Sequence, residues 1–462
     1  MIFPRTRAAI LPLLLGLGAC AQTGAQSSLP AGAAQTGEMA AKAEPVASAA
    51  ATQTETERLN DWLDARYEEQ LQFSPIRLTM QGRDARTAEL DDYSVAADEA
   101  QLAWRFATVQ ALKSQFDYGE LTPSGQLSYD LWVYQAEQAE RGSAFRKNAY
   151  IFHQMSGPHT FLPTFMINFH DVQTAQDMHD YVSRLVAMER ALGQALARAR
   201  DNAAAGVRPP RFAYEQVIDQ AEKVITGAPF TETEDDAALW ADIKSEISAL
   251  EDSGKLTARE ADALRAQARE ALILHVAPAY HELIAYLEQD LKNTAETASG
   301  VSTRPNGDAF YDHQLSVYTT TDMTADEVHA LGLSEVERIR EEMLAIKDDV
   351  GFEGDLQAFF EHIREAQWNY YPDTDEGRQA YLRDAKAAID NIRDRLPDYF
   401  GVLPEADLVV KRVEPFRERD GAAQHYYPGT VDGSRPGTYY VHLSDMTAMP
   451  KNQLEVIAYH EG

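Results

Sequence analysis

Apolar residues recur at helical spacing along most of this chain, and this periodicity restricts the fold more than any other feature. One run covers residues 59–71, before Ser74 and Pro75, and another covers residues 181–196. Spacings of three and four residues place such side chains on one face of a helix. These faces pack in a core far more often than they form cofactor sites, so we predict that they are buried.

The helix with the clearest boundaries follows Thr324. Thr324 and Glu327 have the spacing of a capping box, and Gly351 is a suitable end. The apolar residues between them share one helical face: Val328, Leu331, Val336, Ile339, Met343 and Ile346. This face is also predicted to be buried.

Strand-forming residues are concentrated late in the chain. Residues 438–443 are rich in β-branched and aromatic side chains, they follow a turn-forming run at 432–437, and residues 409–413 supply a partner strand. With 462 residues, the chain exceeds what one hydrophobic core usually serves. We therefore predict a mainly α fold, with a large multi-helix body and a small β-sheet just before the terminal helix.

The charge of the chain limits its partners. The chain has 42 Lys and Arg residues and 73 Asp and Glu residues, which gives a formal net charge of -31. This balance opposes binding to nucleic acid or to anionic lipid, so no nucleic-acid partner is expected. A solvated acidic surface is the simplest explanation, and a field that attracts cationic peptides is the alternative.

The single cysteine, Cys20, excludes an internal disulfide and a thiolate metal cluster. A basic start and an apolar run at residues 8–17, too short to span a bilayer, precede it. Residues 17–20, Leu-Gly-Ala-Cys, resemble the lipobox of bacterial lipoproteins. This predicts a signal peptide over residues 1–19 and a lipid anchor on Cys20, with simple cleavage and release as the alternative.

The segment after the cysteine indicates where the body begins. Residues 20–55 are mostly Ala, Gln, Thr, Ser and Gly, which predicts a disordered tether, and residues 56–462 form the helical domain. Position 21 is Ala rather than Asp, which in Gram-negative lipoproteins implies delivery to the outer membrane. We expect a lipid-anchored protein of the cell envelope that faces the periplasm.

A final helix is predicted from Asn452, which has Glu455 three residues later as in a capping box. It carries His460 and Glu461 and has no end signal before Gly462, so we interpret the sequence as the front part of a longer protein. A zinc hydrolase needs an imidazole on the metal, a carboxylate that deprotonates the bound water, and a second imidazole one or two turns on. The dipeptide supplies only the first two.

Several ordered motifs carry a family resemblance that the dipeptide alone cannot. The matching segments are residues 318–322, 327–333, 335–339, 342–343, 350–354, 422–429, 432–437, 449–450 and 460–462. Together they resemble the bacterial domain of unknown function 885 family, whose helical members are viewed as zinc metallopeptidases. Agreement extends from about residue 57 to the end.

The resemblance implies a zinc-dependent peptidase of the cell envelope that hydrolyses short peptides. His460 would be a zinc ligand and Glu461 the general base. In the family the motif continues with Pro-Gly-His-His and a later acidic ligand, so the domain is expected to be incomplete and this fragment inactive. His442 departs from the family, which usually has Asn in that run.

Six residues are candidates for binding the peptide substrate: Arg435, Tyr439, Tyr440, His442, His425 and Tyr426. Arg435 is either a solvated turn residue or a residue whose guanidinium binds a carboxylate. Tyr439, Tyr440 and His442 either pack against neighbouring elements, or they belong to a strand that presents its edge to an extended peptide. In the second case one tyrosine donates a hydrogen bond to the oxyanion. By resemblance His425 and Tyr426 lie near the cleft, although packing is the simpler role.

Two other functions stay open. A non-catalytic helical lipoprotein that binds peptides or envelope partners would keep the fold and lose the metal. A metal-dependent esterase or amidase would share the chemistry and differ in substrate. The sequence has neither the GxSxG of serine hydrolases nor the GxxxxGKS/T of phosphate-binding loops.

Overall fold

The computed structural model describes residues 53–413, 418, 422–430 and 433–462. Helices dominate it, and the predicted mainly α fold with a small sheet just before the last helix is confirmed. The expected signal peptide, Cys20 and the tether up to residue 52 lie outside the described residues. Thr54 already caps the first helix, so Glu55 belongs to the body and not to the tether.

The helices are α1 (Glu55–Leu71), α2 (Pro75–Met80), α3 (Val95–Gln115), α4 (Pro123–Ser143), α5 (Pro158–Phe169), α6 (Ala175–Ala204), α7 (Arg211–Val224), α8 (Ala238–Asp252), α9 (Ala258–Ala271), α10 (Ala277–Asp290), α11 (Gly307–Thr319), α12 (Ala325–Asp349), α13 (Leu356–Glu365), α14 (Asp375–Arg393) and α15 (Lys451–Glu461). No helix in this part of the chain has an apolar stretch long enough to cross a bilayer.

The largest core lies among α5 to α10. The stripe predicted at residues 181–196 is buried there, with Tyr181, Leu185 and Met188 fully covered. A smaller core joins α1, α3 and α4, where Trp62 packs edge-on against Trp132 with ring centroids 5.9 Å apart. The predicted burial of these two apolar faces is confirmed.

The third core is built on a three-stranded sheet at the C-terminal end. Its strands are β1 (Leu408–Arg412), β2 (His425–Tyr427) and β3 (Gly437–Val441), in the order β1-β3-β2. β3 pairs in parallel with β1 and antiparallel with β2. Side chains from α14 and α15 cover one face of this sheet. The sequence predicted β1 and β3 correctly and missed β2, which is only three residues long.

The apolar stripe of α12 is exposed, contrary to the prediction. The capping box of Thr324 and Glu327 is present and the helix ends before Gly351 as expected. Yet Val336 is 64% exposed and Ile346 is 56% exposed. Helical spacing predicts an apolar face, whereas burial requires another element against it, and no described element covers this one.

A half-buried carboxyl beside the largest core links stability to pH. The Tyr181 hydroxyl donates to Asp242 Oδ2 at 2.8 Å. Burial, reinforced by the charge of Glu246, raises the pKa of Asp242 to about 7 even though the Tyr181 hydrogen bond lowers it. Because the folded-state pKa lies above the unfolded value, this stabilisation is complete at low pH and is lost as pH rises through 7.

We therefore expect Asp242→Asn to raise the free energy of unfolding at pH 8 by about 1–3 kcal/mol and to change it little at pH 4.5. The amide removes the cost of ionising a half-buried group and still accepts a hydrogen bond from Tyr181. Urea unfolding at the two pH values measures this, with the exposed Asp262→Asn as control. Equal effects at both pH values would contradict the raised pKa of Asp242.

Candidate functional site

His460 and Glu461 occupy the last turn of α15, whose inner face is fixed on the C-terminal core. Leu454 and Ala458 are buried against α14. The predicted cap at Asn452 is wrong, because the helix starts at Lys451 after Pro450. The backbone N–H of Asn452 instead donates to the side-chain oxygen of Asn369 at 3.2 Å. This contact and the apolar face set the direction of the helix.

The two residues of the dipeptide differ in environment. His460 is exposed, whereas Glu461 is partly covered. Burial raises the pKa of Glu461, and the neighbouring His460 lowers it by a smaller amount. Adjacent helical positions lie about 100° apart, which allows one side chain to meet solvent while the other turns inward. Glu461 thus has the partly desolvated setting of a stronger base.

Beneath Glu461 lies a group of buried polar side chains on the face of the sheet that α14 covers. Tyr439 is fully buried on β3, and Tyr381 on α14 is 1% exposed. The side-chain amide of Gln424 donates to the Tyr381 hydroxyl at 3.1 Å. Burial raises the pKa of Tyr439, and the charges of Tyr381 and Glu461 raise it further, so this phenol stays protonated.

The Tyr439 hydroxyl interacts with the neighbouring Tyr381 hydroxyl, although the hydrogen bond between them is not well formed. Buried polar groups usually have a well-formed partner, so this weakly engaged hydroxyl can take up a further hydrogen bond close to the Glu461 carboxylate. It is a potential donor to Glu461 or to an oxygen close to it. Sequence reasoning missed Tyr381 and Gln424, because each lies in an ordinary local pattern and only the packing of α14 on β3 brings them to Tyr439.

Three other candidates meet on the opposite face of the sheet. The His425 ring stacks on Tyr440 at 5.3 Å and lies 5.6 Å from His442. The adjacent Glu418 carboxylate accepts from the Leu443 N–H at 2.6 Å and pairs with Arg412 at 2.7 Å. Side chains alternate along a strand, so this cluster is separated by the sheet from Tyr439 and Glu461.

Arg435 connects the C-terminal core to the helical body. Its guanidinium lies 4.8 Å above the Phe169 ring and donates to the Met80 carbonyl. Tyr427 contacts the same ring edge-on at 5.4 Å. The interpretation of Arg435 as a solvated turn residue is therefore wrong, because the turn is folded against α2 and α5. Its role towards a substrate carboxylate stays a prediction.

The interpretation that residues 438–443 offer a free edge to a peptide is also wrong. β3 is the central strand, and its backbone groups pair with β1 on one side and β2 on the other. The outer strands are β1 and β2. Tyr426 on β2 is 44% exposed. An extended peptide that adds to this sheet would therefore meet β2 or β1 rather than β3.

The expected zinc ion can be tested against the donors present. In residues 53–413, 418, 422–430 and 433–462, no group of three or more His, Cys, Asp or Glu side chains could hold a metal ion. A catalytic zinc site takes three protein ligands, whereas the end of α15 offers one imidazole and one carboxylate. These residues by themselves do not fit a catalytic zinc ion.

The fold and site together define a mainly helical protein with a small sheet core just before its last described helix. The model of the family described as bacterial protein of unknown function (DUF885) matches residues 75–462, so the chain belongs to that family. No curated protein matches the chain.

Two solved structures have a similar fold. A candidate lipoprotein from Colwellia psychrerythraea matches with a TM-score of 0.77 and 20% sequence identity over 88% of this chain and 71% of its own. A candidate lipoprotein of unknown function from Shewanella oneidensis matches with a TM-score of 0.52 and 18% identity over 89% of this chain and 68% of its own. At these identities the similarity shows the fold alone.

Proposed function

We propose that the protein is a zinc-dependent peptidase of the cell envelope that hydrolyses short peptides, with Glu461 as general base and His460 as one zinc ligand. The observation that carries the proposal is the setting of Glu461. Its carboxylate is partly desolvated at the end of an anchored helix, beside a buried tyrosine hydroxyl and next to an exposed imidazole.

In the proposed reaction, Glu461 accepts a proton from the water that attacks the peptide carbonyl carbon. A new C–O bond forms, the C–N bond then breaks, and the proton passes from Glu461 to the leaving amine. A base with a raised pKa is better matched to proton transfer near neutral pH than an exposed glutamate. Zinc at His460 requires further ligands from outside the described residues.

The envelope location is part of the same proposal. Both similar structures are described as candidate lipoproteins, and the lipobox-like residues before Cys20 agree with this. A lipid on Cys20 would hold the catalytic body at the membrane through residues 20–54. We propose the outer membrane, with the body in the periplasm.

The metal requirement is tested on residues 53–462 and on the natively produced protein. We expect micromolar zinc not to saturate residues 53–462, because an exposed imidazole and one carboxylate compete poorly with water for the ion. Isothermal titration measures this, and tight stoichiometric binding would contradict it. In the native protein, peptide hydrolysis should stop with a chelator and return with zinc.

The same assay separates the rival functions. Peptide hydrolysis that persists in the presence of the chelator would overturn the proposed zinc requirement. A native protein that binds peptides without cleaving them would favour the non-catalytic alternative. Cleavage of esters or non-peptide amides with no cleavage of peptides would point to the esterase or amidase.

A further inference from the structure

Two arginines that the proposed site does not use lie near each other among the first helices of the body. Arg77 is on α2 and Arg105 is on α3. The Phe73 ring, just before α2, packs against Trp104 with ring centroids 5.5 Å apart. This contact holds the start of α2 against the middle of α3, and the charge of Arg77 acts on Arg105.

Arg105 is a partly buried cation without an acidic partner. Its Nη1 donates to the side-chain oxygen of Gln135 on α4 at 3.3 Å, which is long for such a bond. Burial lowers the pKa of Arg105, the charge of Arg77 lowers it further, and no carboxylate in the described part of the chain offsets these effects. Buried charges are normally paired, so this position has an uncompensated positive charge.

Other arginines in the same region do have acidic partners. Ion pairs join Arg66 to Glu69, Arg83 to Glu68, and Arg86 to Glu89. In a chain with 73 Asp and Glu residues, an arginine that only stabilises the surface is readily paired with one of them. Arg105 departs from this pattern.

The carboxylate near Arg77 is already engaged by other groups. Asp91 accepts from the Ser74 hydroxyl at 2.7 Å and from the Ile76 N–H at 3.0 Å. These bonds fix the first turn of α2, so both Asp91 oxygens have a structural role. The guanidinium of Arg77 can therefore donate to a further anion.

We propose that Arg77 and Arg105 together bind the carboxylate of a small organic anion whose apolar part packs against Phe73. Guanidinium groups donate to carboxylate oxygens with matching geometry. Phe73 is 36% exposed, and it provides an apolar surface beside the two cations. This surface favours a carboxylate attached to an apolar group, such as the C-terminus of a short peptide, over inorganic phosphate.

Isothermal titration of the native protein with 3-phenylpropanoate tests the site. This probe has no bond that a peptidase cleaves, so the result does not depend on the proposed function. We work at about 0.15 M salt, where a Debye length of about 8 Å screens the repulsion from the net charge of -31. The expected Kd is about 1 mM, as for a small ligand held by a few contacts.

Arg77→Gln and Arg105→Gln should each weaken this binding by at least about tenfold, because each removes charged donors to the carboxylate. Arg83→Gln is the matched control, since Arg83 is an exposed arginine paired with Glu68 at 2.8 Å. It should leave the Kd within about twofold of the parent value. Variants at positions 77 and 105 that both bind as the parent does would overturn the proposal.

Two further ligands test the chemistry of the anion. The uncharged 3-phenylpropanol and inorganic phosphate should each bind at least about tenfold more weakly than 3-phenylpropanoate, because one lacks the charge and the other lacks the apolar part. Phosphate that binds more tightly overturns the assignment to carboxylates. A native protein that does not bind 3-phenylpropanoate at about 20 mM overturns the site itself.

Thermal unfolding without ligand separates a binding role of Arg105 from a structural one. Arg105→Gln removes a partly desolvated cation that faces another cation, so its melting temperature should equal or exceed that of the parent protein. A fall of more than about 3 °C would show that Arg105 stabilises the fold and would count against the proposal.

Discussion

Replacing Glu461 with glutamine is expected to reduce peptide hydrolysis by the native protein about 10²–10⁴-fold, the range typical of a lost general base. The amide is nearly isosteric and keeps hydrogen-bonding capacity, but it cannot accept the proton of the attacking water. Because Glu461 is only partly buried, the variant should fold with an unchanged melting temperature. Steady-state rates on a set of short peptides measure the effect, and kcat should fall much more than KM changes.

The control for this prediction lies on the same helix. Glu455 is exposed and accepts from the Tyr459 hydroxyl, one and a half turns before Glu461. Glu455→Gln removes the same charge from α15 and should leave the rate within about twofold. Full activity in Glu461→Gln would refute the proposed base, whereas equal losses in both variants would indicate a general charge effect.

Replacing Arg184 with methionine is expected to cost about 2–4 kcal/mol of unfolding free energy. Arg184 has no exposed surface. Its Nε donates to the Glu89 carbonyl at 3.0 Å, and its Nη2 donates to the Thr79 hydroxyl at 2.6 Å. Its Nη1 donates to His170 at 2.7 Å. Methionine fills the volume but leaves these three acceptors without a donor.

The protonation states of Arg184 and His170 agree with these hydrogen-bond directions. Burial lowers the pKa of His170 to about 4, and the charge of Arg184 adds to the effect. The neutral ring accepts from Arg184 at Nδ1, so Nε2 carries the proton and donates to the Asp177 carbonyl at 2.9 Å. Burial lowers the pKa of Arg184 to about 10, so it stays charged at neutral pH.

Urea unfolding followed by circular dichroism measures the loss. Arg141→Met is the matched control, because Arg141 is exposed and its nearest carboxylate, on Glu137, is 3.7 Å away. It should change the unfolding free energy by less than about 0.5 kcal/mol. An Arg184→Met protein as stable as the parent would mean that desolvation of the guanidinium cancels all three hydrogen bonds.

Local signals were enough to predict much of the fold. The capping box of Thr324 and Glu327 is present as expected, and the stripe at residues 181–196 is buried. Strand-forming residues also placed β1 and β3 to within two residues. Each of these features depends on residues close in sequence, which is why composition and spacing were sufficient.

The candidate site was predicted only in part. The sequence singled out Glu461 and Tyr439, and the structure brings them near each other. The sequence could not show that Tyr381 and Gln424 lie close to these two residues, or that the His425 cluster is on the other side of the sheet. These relations depend on strand order, and β2 was too short for its sequence to predict it.

Helix caps and three-to-four spacing act within a few residues, so the helical segments and the position of the small sheet follow from local pattern. Which apolar faces are covered, and which polar groups lack a close partner, depends on how the elements pack together. Similar stripes are buried in α6 and exposed in α12, and Arg184 and Arg141 differ only in what packs around them. Burial depends on contacts between segments distant in sequence, and periodicity within one segment cannot supply them.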